Sequence, residues 1–243
     1  MIHKEEGILT AADLAEAGRA RASFIAFLNM HFNRLPDAAF VEQVRGAEFT
    51  GALDSLATSS DVEPEVATGA RLMLEHIRAK AALDLSQASD DLGVDRTRLY
   101  RGVSPSYGPP PPYEAVWRKD MRSVPEFLQE LAGTYRQAAV GLASDAGERL
   151  DYIGVQLDFV RLLAEREAAA WEGGDEAEAA RQLQSELAFF KSHLANWTGY
   201  FIEAALKRAE TDFYRGHLQM VRGFIHSETE RLASSPQATG TAA

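Results

Sequence analysis

The sequence predicts an all-α protein, a single multi-helix globular unit. Three observations carry that reading. Apolar residues recur at three- and four-residue steps over most of the 243 residues. Several of these runs are preceded by a Ser, Thr or Asp with an acidic residue three positions later, the signature of a capped helix start. No stretch alternates β-branched and polar residues around hairpin turn chemistry, and no Gly-rich phosphate loop follows a strand. With 46% hydrophobic residues, the chain can bury a substantial core without covalent or metal staples.

The first helix is expected to start at Thr10 with Asp13 completing the cap. It presents Phe24, Ile25, Leu28 and Phe32 on one face and ends near Asn33. Pro36 and Asp37 open a second helix carrying Phe40, Val44 and Leu53. The polar break "TSSDVEPE" precedes a third through Leu72, Ile77 and Ala81, and "SQASDDLGVDRT" reads as a loop.

Then comes "YRGVSPSYGPPPPYEAVW", residues 100 to 117. Four consecutive prolines fix φ and remove donors, so residues 104 to 112 are expected to form a stiff non-helical strap. Tyr107, Tyr113 and Trp117 ride on or beside it. Aromatic side chains held with little freedom suit a recognition surface, although each could equally fill the core.

Beyond the strap, Ser123 and Glu126 bracket Pro125 at the start of a helix lined by Phe127, Leu131, Tyr135, Ala139 and Leu142, which stops at "ASDAG". Asp145 and Glu148 form a similar start for a helix carrying Leu150, Ile153, Leu157, Val160 and Ala164, ending around Trp171 at the Gly173-Gly174 pair. Another helical pattern begins at Asp175. Leu187, Phe190, Leu194, Trp197, Phe201 and Ala205 continue a buried stripe toward Phe224. That is too long for one globular helix, so a break is expected near Asn196 to Gly199. The organisation is therefore read as an N-terminal part, 1–143, with the Pro-rich connector at 102–113, and a C-terminal part, 144–232. A hinge joins them near 143–150, and a disordered tail follows at 233–243.

Charge and composition exclude several function classes. The net charge is −11, from 36 acidic and 25 basic residues, which argues against nucleic acid because a duplex needs a dense cationic footprint. An acidic surface favours a cationic partner, or simply keeps the protein soluble. There is no cysteine, so disulfides, zinc–thiolate sites, iron–sulfur clusters and thiol nucleophiles are excluded. No run approaches the roughly 20 apolar residues of a membrane span, and the N-terminus lacks a basic region followed by an apolar one, so the cytoplasm is the expected compartment. The six histidines form no Glu-x-x-His or H-E-x-x-H pattern and G-x-S-x-G is missing, so no catalytic or metal site is expected. A DNA-reading helix is faintly suggested only by "DDLGVDRTRLYRG", whose flanks are acidic.

Three separated blocks resemble the TorD/DmsD/NarJ group of cytoplasmic chaperones for molybdenum oxidoreductases. "LGVDRTRLYRGVSPSYGPPPPYEAVW" is similar to the group's Pro-rich segment through Leu99, Tyr100, Gly102, Pro111, Pro112, Tyr113, Val116 and Trp117. "GERLDYIGVQLDFVRLL" looks like its E-P-x-D-H hinge, with Glu148 and Asp151 at the acidic positions, Arg149 where proline stands and Tyr152 where histidine stands. "FFKSHLANWTGYFIEAALKRAETDFYRGHLQMVRGFI" is similar to its late aromatic pattern through Phe190, His193, Leu194, Trp197, Phe201, Ala209, Phe213 and Tyr214. The resemblance spans residues 92 to 225; the first 90 residues match only in being helical.

This resemblance implies a TorD-like helical bundle that binds the twin-arginine signal peptide, the apo form, or both, of a molybdenum or tungsten oxidoreductase catalytic subunit. It would hold this client for cofactor insertion, acting as a monomer or domain-swapped dimer without a cofactor of its own. A leader with a cationic start and an apolar middle wants apolar walls and acidic groups at one end. The client-binding candidates are Tyr100, Pro112, Tyr113 and Trp117 at the walls, with Glu148 and Asp151 receiving charge. Tyr152 and Gln156 share a helical face, and so do His193 and Trp197. Asp151 also suits helix-start chemistry, and His193 and Trp197 also suit the core. The alternative function is a helical small-molecule-binding protein or an enzyme without a recognisable motif.

Overall fold

The computed structural model describes residues 10–119, 123–138, 149–235 and 238. In order, the helices are α1 (Ala11–Asn33), α2 (Ala38–Arg45), α3 (Ala47–Thr58), α4 (Pro64–Ala79), α5 (Leu85–Tyr100), α6 (Glu114–Trp117), α7 (Val124–Gln137), α8 (Ile153–Gly173), α9 (Glu176–Phe189), α10 (Ala195–Leu206) and α11 (Asp212–Ser234). A π-helical segment, Phe190–Leu194, joins α9 to α10. Among the described residues there is no strand, and the protein is an all-α globular unit.

Two close helix pairs build the bundle. On α1, Ala15, Gly18 and Ala22 are buried against α8, where Ala164 and Ala168 are also small, so the two backbones approach closely. The α4–α11 crossing is tighter still: a Cβ at Gly69 would meet the Gly216 carbonyl, and one at Gly216 would meet the Gly69 carbonyl. Only glycine permits that approach. Because these pairs join the first half of the chain to the second, one apolar core runs from Ile25 and Phe32 through Met73, Val160 and Phe201 to Val221.

Three of the expected helix caps are present. Thr10 and Asp13 form a reciprocal capping box, as do Ser123 and Glu126, and Gly174 terminates α8 in the left-handed conformation. Other boundaries differ from expectation. The helix expected from Pro36 through Leu53 breaks at Gly46, the poorest non-proline helix former, which turns α3 back onto α4. The segment read as a loop, "SQASDDLGVDRT", is most of α5: Asp84 caps it through Gln87 N, and Ala88, Leu92, Asp95, Arg96 and Leu99 make its buried face. Leu150, expected on the next helix, lies in the turn before α8, which is helical from Ile153, and the expected start at Asp145 and Glu148 lies outside the described residues.

No break occurs at Asn196 to Gly199. The helix there shifts to π geometry one turn earlier and ends at Leu206. The chain turns at 207–211, where the buried Asp95 carboxylate accepts the Glu210 and Thr211 N–H groups at 2.8–3.2 Å and Thr211 caps α11. Residues 143–148 of the expected hinge, with Glu148, and residues 236–237 and 239–243 of the tail lie outside the described residues.

Candidate functional site

The strap leaves α5 through Gly102, whose φ of +61° lies in the left-handed region that glycine tolerates without strain. A turn follows, with Tyr107 N and Gly108 N both donating to Ser104 O at 3.0 Å. Prolines offer no N–H, so the strap is fastened through its carbonyls. Pro111 O accepts Tyr113 N at 2.8 Å and Trp117 Nε1 at 3.0 Å, and Pro112 O accepts Ile153 N at 3.0 Å. With Glu114 N donating to Asp151 O at 2.9 Å, Tyr113 and Tyr152 form an antiparallel one-residue bridge that locks the strap to the start of α8.

Beneath this bridge lies a polar network. Glu114 is 3% exposed and accepts from Gln156 Nε2 at 2.5 Å and from His193 Nδ1 at 3.0 Å. Gln156 Oε1 in turn accepts Trp197 Nε1 at 3.1 Å. One carboxylate thus ties together α6, α8, the π segment and, through Gln156, α10. The π turn carries His193, and such single-turn insertions inside α-helices are frequent at functional sites.

Asp151 is fully buried and fully engaged. Its Oδ2 accepts Ala115 N at 3.0 Å, and Arg149 grips both carboxylate oxygens at 2.9 and 2.7 Å. The same guanidinium sits 4.8 Å above the Tyr113 ring. Arg149, at the position where the resembling motif has proline, therefore supplies the counter-charge.

The aromatics form a second layer. Tyr152 is buried and donates to Phe32 O at 2.8 Å. Trp197 is buried, and Phe201 lies about midway among Trp117 at 5.8 Å, Tyr100 at 6.2 Å and Trp197 at 6.3 Å. Tyr100 itself points into the core, where its hydroxyl meets His217 Nδ1 at 2.9 Å. His217 Nε2 lies 2.9 Å from Leu28 O and must carry the ring proton, so the phenol donates. Burial, helped by neighbouring His31, pushes His217 well below its usual range and keeps the imidazole neutral.

The predicted residues Pro112, Tyr113, Trp117, Asp151, Tyr152, Gln156, His193 and Trp197 therefore converge on one station, with Tyr100 joined through Phe201. Tyr113 and Trp117 are half-buried, and Val116 (46% exposed) and Tyr200 (43% exposed) stand nearer the surface, Tyr200 with the Lys119 ammonium 3.8 Å from its ring. Sequence reasoning passed over Glu114, although an acid between two aromatics directly after the prolines was a visible signal. It also missed Arg149 as partner of Asp151. The Glu114–His193 pair is enclosed, and among the described residues no His, Asp and Glu side chains converge as a metal site.

The pattern of one family spans the strap and the residues of the station: that of the nitrate reductase delta subunit matches residues 63–203, from the α4 cap through the strap and the π segment into α10. The chain belongs to the nitrate reductase delta subunit family. No curated protein matches it individually. This family comprises maturation chaperones that work with molybdoenzyme catalytic subunits, so the family member described here is a maturation factor and not an enzyme. Among its described residues no helix is long and apolar enough to cross a membrane.

Proposed function

We propose that this delta-subunit family member is a cytoplasmic chaperone that binds the twin-arginine signal peptide of a molybdenum or tungsten oxidoreductase. It holds the apo catalytic subunit until the cofactor is inserted. The observation that carries the reading is the station itself: within the family-matched region, partly exposed Tyr113, Trp117, Val116 and Tyr200 stand over a rigid polar base.

A twin-arginine leader has an apolar middle and a cationic start. In this proposal the apolar middle lies against Tyr113, Trp117 and Val116, and the arginines face Glu148 and the acidic surface of the −11 chain. Asp151, Tyr152, Gln156, His193 and Trp197 act from beneath by fixing the strap, Pro112 by stiffening it and Tyr100 by packing through Phe201. In this proposal the chain acts as a monomer or as a swapped dimer in which the α1–α8 and α4–α11 pairs re-form between protomers.

The test is a fluorescence-anisotropy titration with a labelled twin-arginine leader and with the same leader carrying Gln for both arginines. Tyr113→Ala and Trp117→Ala should each weaken the leader about tenfold, the loss typical of an aromatic anchor. The Gln leader should bind more weakly than its parent. Undiminished affinity in both variants, or no binding by the folded protein, would overturn the assignment.

A further inference from the structure

Among the described residues, one guanidinium in the core has no counter-charge. Arg96 of α5 is 5% exposed, yet among the described residues no carboxylate lies within ion-pair distance of it. Its Nη2 donates to Phe32 O in the last turn of α1, and its buried Nε has no hydrogen-bond partner. The adjacent Asp95 serves Arg98, Glu210 N and Thr211 instead. The α1 C-terminus and the Tyr100 ring, 5.9 Å away, offset part of the charge. They leave the buried Nε–H of Arg96 without an acceptor among the described residues.

Arg96 lines an open cleft of about 530 Å³ between the α1–α2 corner, α5 and the turn of the strap. The cleft is large enough for a ligand-sized group. Part of its wall is apolar and open to solvent: Leu35 is 62% exposed, Val94 51%, and the Tyr107 ring lines the strap side. A buried, under-bonded cation beside exposed apolar side chains in an open cleft suits an oxyanion attached to an apolar body.

We propose that Arg96 receives the carboxylate of an Asp or Glu side chain on the client polypeptide, with the residue beside it seated on Leu35, Val94 and Tyr107. The charge-assisted hydrogen bonds would engage a guanidinium that no carboxylate among the described residues pairs with. Asp37, which caps α2 through Phe40 N, and exposed Asp90 also line the cleft and repel further negative charge. The site therefore selects a single carboxylate in an otherwise neutral or basic segment. This inference rests on the reading that the chain holds a polypeptide client, and it concerns a surface apart from the leader station.

The experiment is an NMR titration of ¹⁵N-labelled protein, reading arginine Nε–H signals, with acetyl-Leu-Glu-amide, acetyl-Leu-Gln-amide and inorganic phosphate in turn. Arg96→Lys assigns the signal by its loss. Val94→Asp, on an exposed wall, adds a repelling charge without touching the core. The Glu peptide should shift the Arg96 signal saturably, and the Gln peptide should bind at least about tenfold more weakly. Phosphate should bind more weakly than the Glu peptide, and Val94→Asp should cut the Glu-peptide affinity severalfold. Absence of a saturable shift, equal response to both peptides, tighter binding of phosphate or full affinity in Val94→Asp would each overturn the proposal. The leader titration is a separate measurement, so failure here leaves leader binding standing.

Discussion

Replacing Glu186 by Gln should remove a pH dependence of stability that the core builds in. Where α1, α8, α9 and α11 meet, one guanidinium, Arg21, faces three buried carboxyl groups: Glu167, Glu186 and Glu228. Glu167 also accepts Trp171 Nε1 at 2.7 Å and Glu228 is forked by Arg231, so Glu186 has the least support. Burial, reinforced by Glu167 and Glu228 and opposed by Arg21, pushes Glu186 up to about 8 from its ordinary 4.5. A carboxyl raised on folding contributes stability that is complete below the unfolded value and is lost as pH climbs to the folded one.

From pH 5 to pH 8 the unfolded chain is free of a proton that the folded chain still holds. Stability falls by about 1.4 kcal/mol per pH unit, or on the order of 4 kcal/mol across the window. Gln keeps the shape and the acceptor for Arg21 but cannot titrate. Urea unfolding followed by circular dichroism at pH 5, 6, 7 and 8 measures the difference between parent and variant. Groups that titrate alike in both cancel in that difference. Glu186→Gln should gain on the parent steadily with pH and be the more stable protein at pH 8. A difference that stays constant from pH 5 to pH 8 would refute the reasoning.

The opposite slope belongs to the histidines: burial pulls His31 down to about 4, so stability is lost as pH falls below 6.5. In His31→Phe, the folded state should lose about 2 kcal/mol less between pH 7 and pH 5 than in the parent, measured by urea unfolding. Glu114→Ala would strand Gln156 Nε2 and His193 Nδ1, costing about 3 kcal/mol by the same urea assay. In that variant, hydrogen exchange should quicken at the Glu114–Asp151 and Ile153–Pro112 bonds of the bridge; unchanged exchange there would show that the network does not hold the strap. Gly69→Ala drives a methyl into the Gly216 carbonyl and should lower stability by about 1–3 kcal/mol, with a matching drop in melting temperature.

How much of this was legible depended on whether a residue's role lay in its own spacing or in a distant partner. The α1 cap, the α7 box and the Gly174 stop are local chemistry, and each stands where the residues put it. The helix α5 was hidden because its buried face is partly polar: Asp95 goes inward to cap the turn before α11, more than 100 residues away, and Arg96 to meet α1. The same distance effect governs the station. Proline content made the strap visible and the aromatics marked its importance, but spacing cannot reveal depth. Asp151 and Gln156, each 0% exposed, need the bridge to Tyr113 and the pairing with Arg149 and Glu114 before their burial makes sense. Glu114 was overlooked because a carboxylate beside exposed-looking aromatics reads as solvated until His193 and Gln156 close over it.

The most direct test of the central claim is affinity purification of the tagged full chain from its own cytoplasm, with the retained proteins identified and their N-termini sequenced by mass spectrometry. The account predicts recovery of a molybdoenzyme catalytic subunit with its twin-arginine leader still attached, in an amount reduced by Tyr113→Ala. A folded, correctly expressed protein that retains no such subunit, or retains it equally with Tyr113 removed, would contradict it.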